Sequence, residues 1–236
     1  PMSSLTPSQE EAKAEIIAFL LDPDQKYFVL KGVAGTGKTY LINQVEKDFV
    51  EVTKLLLSTG AYKPLKWQYT ATTHKAAHAL RMATGMDTCT LHSLLSLQLK
   101  SNYNTGKNFL IRNNVADVED LIIVIDEASY IDYDLLEAID TYTINCKVIF
   151  MGDPAQLTPI GLNHSPVFLA GFSTHTLTQV VRQSAVHPLS PILQHLREYV
   201  LGNTESLPKI ATCPELVRLS PTEFNKVIID EFSASW

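Results

Sequence analysis

The sequence has no apolar run near the ~18 residues that a membrane span requires, so no bilayer crossing is expected. It is also poor in cysteine. Cys89, Cys146 and Cys213 lie far apart with no C-x-x-C pair, which excludes a disulfide framework and argues against a zinc site. That usage suits a reducing cytoplasm, the expected location. Pro1-Met2-Ser3-Ser4 lacks the charged and apolar regions of a signal peptide, and Pro1 before Met2 reads as the scar of a tag cleavage. Positive charge is scarce: 19 Lys and Arg stand against 25 Asp and Glu, a net charge of −6. This argues against a protein that coats nucleic acid. Any such contact must come from a local groove in which stacking and backbone donors carry much of the binding. Repeats and low-complexity tracts are missing. What is present is 236 residues, 45% of them hydrophobic, enough for one large domain or one domain with an insertion.

The most informative stretch is Gly32-Val33-Ala34-Gly35-Thr36-Gly37-Lys38-Thr39. It satisfies G-x-x-x-x-G-K-S/T, the phosphate-binding loop, at every position. Tyr27 to Lys31 before it reads as a short buried strand, and Tyr40 to Val45 after it as a helix. Glycines let successive N–H groups curl inward around phosphates, and the helix start adds its partial positive charge. Lys38 is then expected to reach the β- and γ-phosphates of ATP, and Thr39 to bind Mg²⁺ through its hydroxyl. Tyr40 closes the same stretch.

The remaining chain alternates strands and helices. Thr6-Pro7-Ser8-Gln9 opens a first helix, Pro7 to about Leu21, with Gln9 completing a capping box. The helix after Thr39 is expected to run to about Val52. Trp67 to Ala71 reads as a second strand leading into Thr72-Thr73-His74-Lys75 and a helix that Gly85 stops. Thr90 caps a short helix, Leu91 to Leu95. The polar stretch from Gln98, with a strong turn signal at Ser101 to Lys107, reads as a β-hairpin insertion over residues 98–118. Leu121 to Ile125 and Lys147 to Met151 read as strands buried on both faces, and Thr176 to Val181 as a shorter one. Helices are expected from Tyr133 to Tyr142 behind Asp132, from Pro191 to about Leu201 behind Ser190, and after Ser220-Pro221-Thr222-Glu223. This order implies an α/β fold, a parallel sheet wound on both faces, with residues 1–97 and 119–236 as one discontinuous domain.

Ligands in such sheets bind beyond the carboxyl ends of the strands, so the loops after each strand should converge on one edge. Asp126 is the expected holder of Mg²⁺. Glu127, one residue on, can face an attacking water as general base. A Glu beside the metal-binding Asp favours hydrolysis over transfer to a hydroxyl. Gln156, in the turn Gly152-Asp153-Pro154-Ala155-Gln156, can hydrogen-bond the γ-phosphate or the water, and Arg182 can clamp developing phosphate charge.

Seven segments in order resemble the first RecA-like domain of superfamily 1B DNA helicases, the RecD-like and Dda-like group. They are Thr6 to Gln9, Gly32 to Thr39, Ala71 to Ala77, Thr90 to Leu95, Ile125 to Ser129, Gly152 to Pro159 and Leu177 to Arg182, a match over roughly Leu5 to Ser184. The resemblance implies a RecA-like P-loop ATPase. Gln9 would read the adenine edge, although the capping box alone accounts for it equally well. Arg182 would touch the γ-phosphate. Thr73, His74, Lys75, His92 and Ser93 would touch single-stranded DNA. The hairpin would be a strand-separating pin, with Phe109 and then Tyr103 as the aromatic wedge. Asp126-Glu127 followed by Ala128-Ser129 points to 5′-to-3′ movement.

Such enzymes place ATP between two RecA-like domains, and nothing after Ser184 resembles the second. This piece alone is therefore expected to bind nucleotide weakly, hydrolyse it poorly and not unwind. A DNA fork and replication or recombination proteins are the implied partners. A small-molecule kinase and a non-catalytic nucleotide-binding module stay open as other readings of the same loop.

Overall fold

A computed structural model describes residues 4–58, 64–101, 108–112, 115–181, 190–208 and 220–234. The chain divides into two compact units, residues 1–182 and 183–236.

The first unit is built on six parallel strands in the order β10-β1-β9-β7-β2-β3. These are β1 (Tyr27–Gly32), β2 (Lys66–Ala71), β3 (Thr88–Thr90), β7 (Leu121–Asp126), β9 (Lys147–Gly152) and β10 (Ser173–Leu177). Alternating side chains along the central strands feed two cores. Phe28, Leu30, Ile122, Val124, Ile149 and Met151 face one side with Ile16, Leu41, Val45 and Leu80. Those helical residues come from α1 (Pro7–Leu21), α2 (Lys38–Ser58) and α3 (His74–Thr84). Val29, Ile123, Ile125, Val148 and Phe150 face the other side, against Leu91 of α4 (Leu91–Leu94) and Leu135 and Ile139 of α5 (Tyr133–Tyr142). Burial on both faces explains why these strands are continuous apolar runs rather than alternating ones. The wound α/β architecture expected from the sequence is present.

Helix boundaries follow local chemistry. Thr6 and Gln9 make the reciprocal capping box of α1. The Asp132 carboxylate accepts the Leu135 N–H at the start of α5. Gly85 closes α3 with φ 71°, a left-handed conformation that glycine adopts without steric cost.

Three expectations change. α2 runs to Ser58, past Val52, because the Thr53 hydroxyl folds back onto the Phe49 carbonyl at 2.8 Å and is satisfied within the helix. β3 is a three-residue strand the sequence did not announce. β10 occupies Ser173–Leu177 rather than residues 176–181, because its register with β1 runs from Phe28–Ser173 to Gly32–Leu177. As an edge strand it tolerates a polar sequence, and Val180 and Val181 lie exposed beyond it.

β4 (Leu97–Ser101) and β5 (Asn108–Arg112) form an antiparallel pair. Between this pair and β9, the two-residue strands β6 (Val118–Glu119) and β8 (Thr143–Ile144) pair in parallel. The second unit contains α6 (Ser190–Val200) and α7 (Pro221–Ala234), the latter opened by reciprocal bonds between Ser220 and Glu223. Among the described residues, no helix is long and apolar enough to cross a membrane.

Candidate functional site: a phosphate-loop cavity at the carboxyl edge of the sheet

Because every strand of the main sheet is parallel, the loops after β1, β7, β9, β2, β3 and β10 all leave by the same edge. There a cavity of about 480 Å³ is lined by Ala34, Gly35, Gly37, Lys38, Thr39 and Tyr40, by Asp126 and Glu127, and by Gly152, Asp153 and Gln156. The lysine-tipped loop and the acidic pair therefore share one space.

The loop is shaped from within. Gly35 and Gly37 have φ of 84° and 79°. A Cβ on Gly37 would sit 2.6 Å from the Gln9 Nε2. Gln9 is 3% exposed and uses both ends of its amide: Oε1 accepts the Thr6 N–H at 2.9 Å, and Nε2 donates to the Thr36 carbonyl at 2.9 Å. It thus caps α1 and clasps the phosphate loop at once. Thr36 is fully buried and donates its hydroxyl to the Val33 carbonyl, so it braces the loop rather than lining the cavity. Gly32 and Val33 offer their carbonyls to the Lys38 ammonium at 2.7 and 3.1 Å.

The acidic side is electrostatically tense. Burial pushes the Asp126 carboxyl above the ordinary carboxylate range, against the pull of the Glu127 N–H it accepts at 2.9 Å and of the Lys38 charge. Burial also raises Glu127, followed by the Asp126 charge, with Lys38 opposing and Asp153 adding to the rise. Glu127 has φ 56° and ψ 43°, a left-handed backbone that costs a non-glycine residue ~1–2 kcal/mol. Gly152 is needed opposite it. A Cβ there would meet the Phe168 ring at 3.0 Å and the Ala128 nitrogen at 3.3 Å.

Asp153 is buried and folds the turn that carries Gln156, accepting the Ala155 N–H on its carboxylate and the Gln156 N–H on its carbonyl. Thr39 and Asp126 are the metal-site candidates, and both line the cavity. No cluster of three His, Cys, Asp or Glu side chains suited to a metal occurs among the described residues. A cation here would draw its other ligands from phosphate and water, as Mg²⁺ does.

The nucleic-acid candidates lie on the same edge at the β2–β3 side. Thr73 caps α3 by accepting the Ala76 N–H, and Thr73, His74 and Lys75 are exposed. Ser93 is exposed. His92 is half-buried, and burial holds its imidazole below the ordinary histidine range, with the Asp132 charge opposing. In the β4–β5 pair, Phe109 stands opposite Lys100 and Leu110 opposite Leu99. Leu110 packs on the core, so Phe109 points to the other face, where it is 43% exposed. Arg182 and Tyr103 lie outside the described residues.

Asn43, Ala83 and Val181 also line the cavity. Asn43 follows Thr39 by four residues, one helical turn, and was legible to that extent. Ala83 carries no sequence signal. Val181 arrives because its N–H bonds the Gly35 carbonyl at 3.0 Å after β10 has ended.

Residues 4–206 match the model of a family described as an AAA domain. The ATP-dependent DNA helicase dda of Enterobacteria phage T4 is 28% identical over 192 residues, 77% of this chain and 40% of that protein. An uncharacterised protein of Acanthamoeba polyphaga mimivirus is 28% identical over 180 residues, 68% of this chain and 34% of its own length. Among solved structures, the Pif1 helicase from Candida albicans superposes with TM-score 0.55 at 19% identity, covering 91% of this chain and 50% of that one. The chain spans less than half the length of these two curated relatives. Ordered motifs, sheet topology and a family match over most of its length agree: the chain belongs to the AAA-domain helicases of superfamily 1B, of which it carries the first RecA-like domain.

Proposed function

We propose that this chain is the ATP-hydrolysing motor domain of a 5′-to-3′ DNA helicase. The observation that carries the reading is the single cavity shared by the phosphate loop and Asp126-Glu127. The loop suits a polyphosphate: its two left-handed glycines let the backbone curl, and a Cβ at Gly37 would press on the Gln9 amide that clasps the loop. Lys38, now on the Gly32 and Val33 carbonyls, is the cation available to the β- and γ-phosphates, and Gln9 stands beside the loop for the adenine edge. Thr39 and Asp126 would hold Mg²⁺, which supplies charge neutralisation for the phosphates when bound.

Glu127, whose carboxyl is raised above the ordinary range first by burial, is a stronger base for it and suited in its ionised form to take a proton from the attacking water. Gln156 would report the γ-phosphate, and Arg182 would clamp the charge that develops there. A water-activating carboxylate beside the metal-binding one supports hydrolysis rather than transfer to an acceptor hydroxyl. Thr73, His74, Lys75, His92 and Ser93 supply donors to a single strand at the same edge. Phe109, exposed and paired with Lys100, offers a stacking face worth ~1–3 kcal/mol per base, and Tyr103 is the second candidate by sequence. The run Asp126-Glu127-Ala128-Ser129 supports the direction.

The test is ATP binding and turnover with and without an oligothymidylate. Glu127→Gln should keep nucleotide affinity within about twofold and lower turnover by ~10²–10⁴-fold. Turnover near wild type removes Glu127 as the base. Wild-type turnover that ignores the oligothymidylate, once this domain is joined to a second RecA-like domain, removes the helicase reading. Direction is read on duplexes carrying a 5′ or a 3′ single-stranded tail.

A further inference from the structure

Three hydrogen bonds converge on the backbone of Glu127. Its N–H donates to the Asp126 carboxylate, and its carbonyl accepts the Tyr130 N–H at 3.1 Å. The same carbonyl accepts the Thr72 hydroxyl at 3.4 Å. The first two bonds are internal to the loop after β7. The third comes from the residue that follows β2, where the strand gives way to the exposed segment Thr73-His74-Lys75. The parallel register ends there too, on the pair Ala71–Asp126.

The backbone being held is the left-handed one, φ 56° at Glu127. Relaxing that angle would swing the Glu127 carboxylate, because a backbone rotation moves everything attached to the Cα. A hydroxyl gripping the carbonyl from the residue just past β2 therefore helps decide where the carboxylate points.

We propose that Thr72 is a positioning residue that couples occupancy of the Thr73–Lys75 segment to the orientation of Glu127, so that a bound single strand sets the rate of hydrolysis through this hydroxyl. The inference rests on the motor reading given above. A strand held by the start of α3 fixes the end of β2, the fixed end fixes the Thr72 hydroxyl, and the hydroxyl fixes the Glu127 carbonyl. Within β2 itself, the Thr70 hydroxyl bonds β7 at the Val124 carbonyl in the buried centre of the sheet. It stitches the strands where nothing moves and serves as the control.

With this domain joined to a second RecA-like domain, as in the test of the motor reading, the experiment compares wild type with Thr72→Val, Thr72→Ser and Thr70→Val. It measures oligothymidylate affinity by anisotropy, nucleotide KM, and the ratio of turnover with saturating oligothymidylate to turnover without it. For Thr72→Val the ratio should fall about three- to tenfold, the scale of one lost hydrogen bond, while oligothymidylate Kd and nucleotide KM stay within about twofold. Thr72→Ser should restore the ratio. Thr70→Val should lower the melting temperature and leave the ratio unchanged.

An unchanged ratio in Thr72→Val overturns the coupling while leaving the motor reading intact. Weakened oligothymidylate binding in Thr72→Val also overturns it, because Thr72 would then be a direct contact. A wild-type ratio of one overturns both the coupling and the motor reading.

Discussion

The two edges of the main sheet are built on opposite plans. At the amino edge, where β1 and β9 begin, the exposed and buried charges are answered. The Lys26 ammonium meets the Asp140 carboxylate and the Thr143 carbonyl, and the Tyr27 hydroxyl donates to the same carboxylate. The Tyr27 hydroxyl and then the Lys26 ammonium hold Asp140 below the ordinary carboxylate range. Burial lowers the Lys147 ammonium below the ordinary lysine range, against the Asp22 and Asp24 charges, and it donates to the Asp22 and Gln25 carbonyls over the Phe19 ring. At the carboxyl edge two carboxyls are raised by burial, a glutamate holds a left-handed backbone, and the phosphate loop bends through two positive-φ glycines. Left-handed residues occur at both edges, Asp120 and Asn145 at the amino one; what sets the carboxyl edge apart is a raised acidic pair facing a shared cavity, whose ionisation a cation would favour.

If the edges are energetically separate, perturbing each should show in a different measurement. The largest effect belongs to the amino edge. Lys147→Ala strands two carbonyls and should cost ~2–4 kcal/mol in denaturant unfolding, with nucleotide affinity unchanged. A parallel loss of affinity would break the comparison. Next comes Gly37→Ala at the carboxyl edge, which combines a φ of 79° with a Cβ 2.6 Å from Gln9 Nε2. Nucleotide affinity should fall at least ~tenfold, against a stability loss of only ~1–2 kcal/mol. Calorimetric titration with a nucleotide and thermal melting separate the two.

The smallest effect sharpens the contrast most. Burial raises the folded-state pKa of Asp126, so its ionisation opposes folding. That cost is missing below the ordinary carboxylate value. It grows as pH rises through the raised one and is complete above it. Asp126→Asn in a chelator should therefore melt roughly 2–4 °C higher than wild type at neutral pH, with the gain vanishing below about pH 4. A variant that melts lower at neutral pH would show that the carboxylate stabilises this edge rather than straining it.

Much of the fold was legible because its signals are local. The Thr6–Gln9 box, the Asp132 cap and Gly85 each fix a helix end through atoms within four residues, and the structure places them where the pattern did. The apolar runs of β1, β7 and β9 announced burial on both faces. β10 was misplaced because an edge strand borrows its register from β1, leaving its own sequence polar. Gln9 had two readings from sequence, a cap or an adenine contact. Its second bond, to Thr36, was invisible because the two are 27 positions apart.

The sequence by itself determined the chemical inventory: a phosphate loop, an acid pair after a buried strand, a glutamine turn, and helices with their caps. Periodicity and capping depend on residues close along the chain. Only the tertiary structure decided that β9 lies between β1 and β7, that Glu127 is held left-handed, and that Thr72 reaches its carbonyl. Those are consequences of strand order and register, which are settled by packing among residues tens of positions apart.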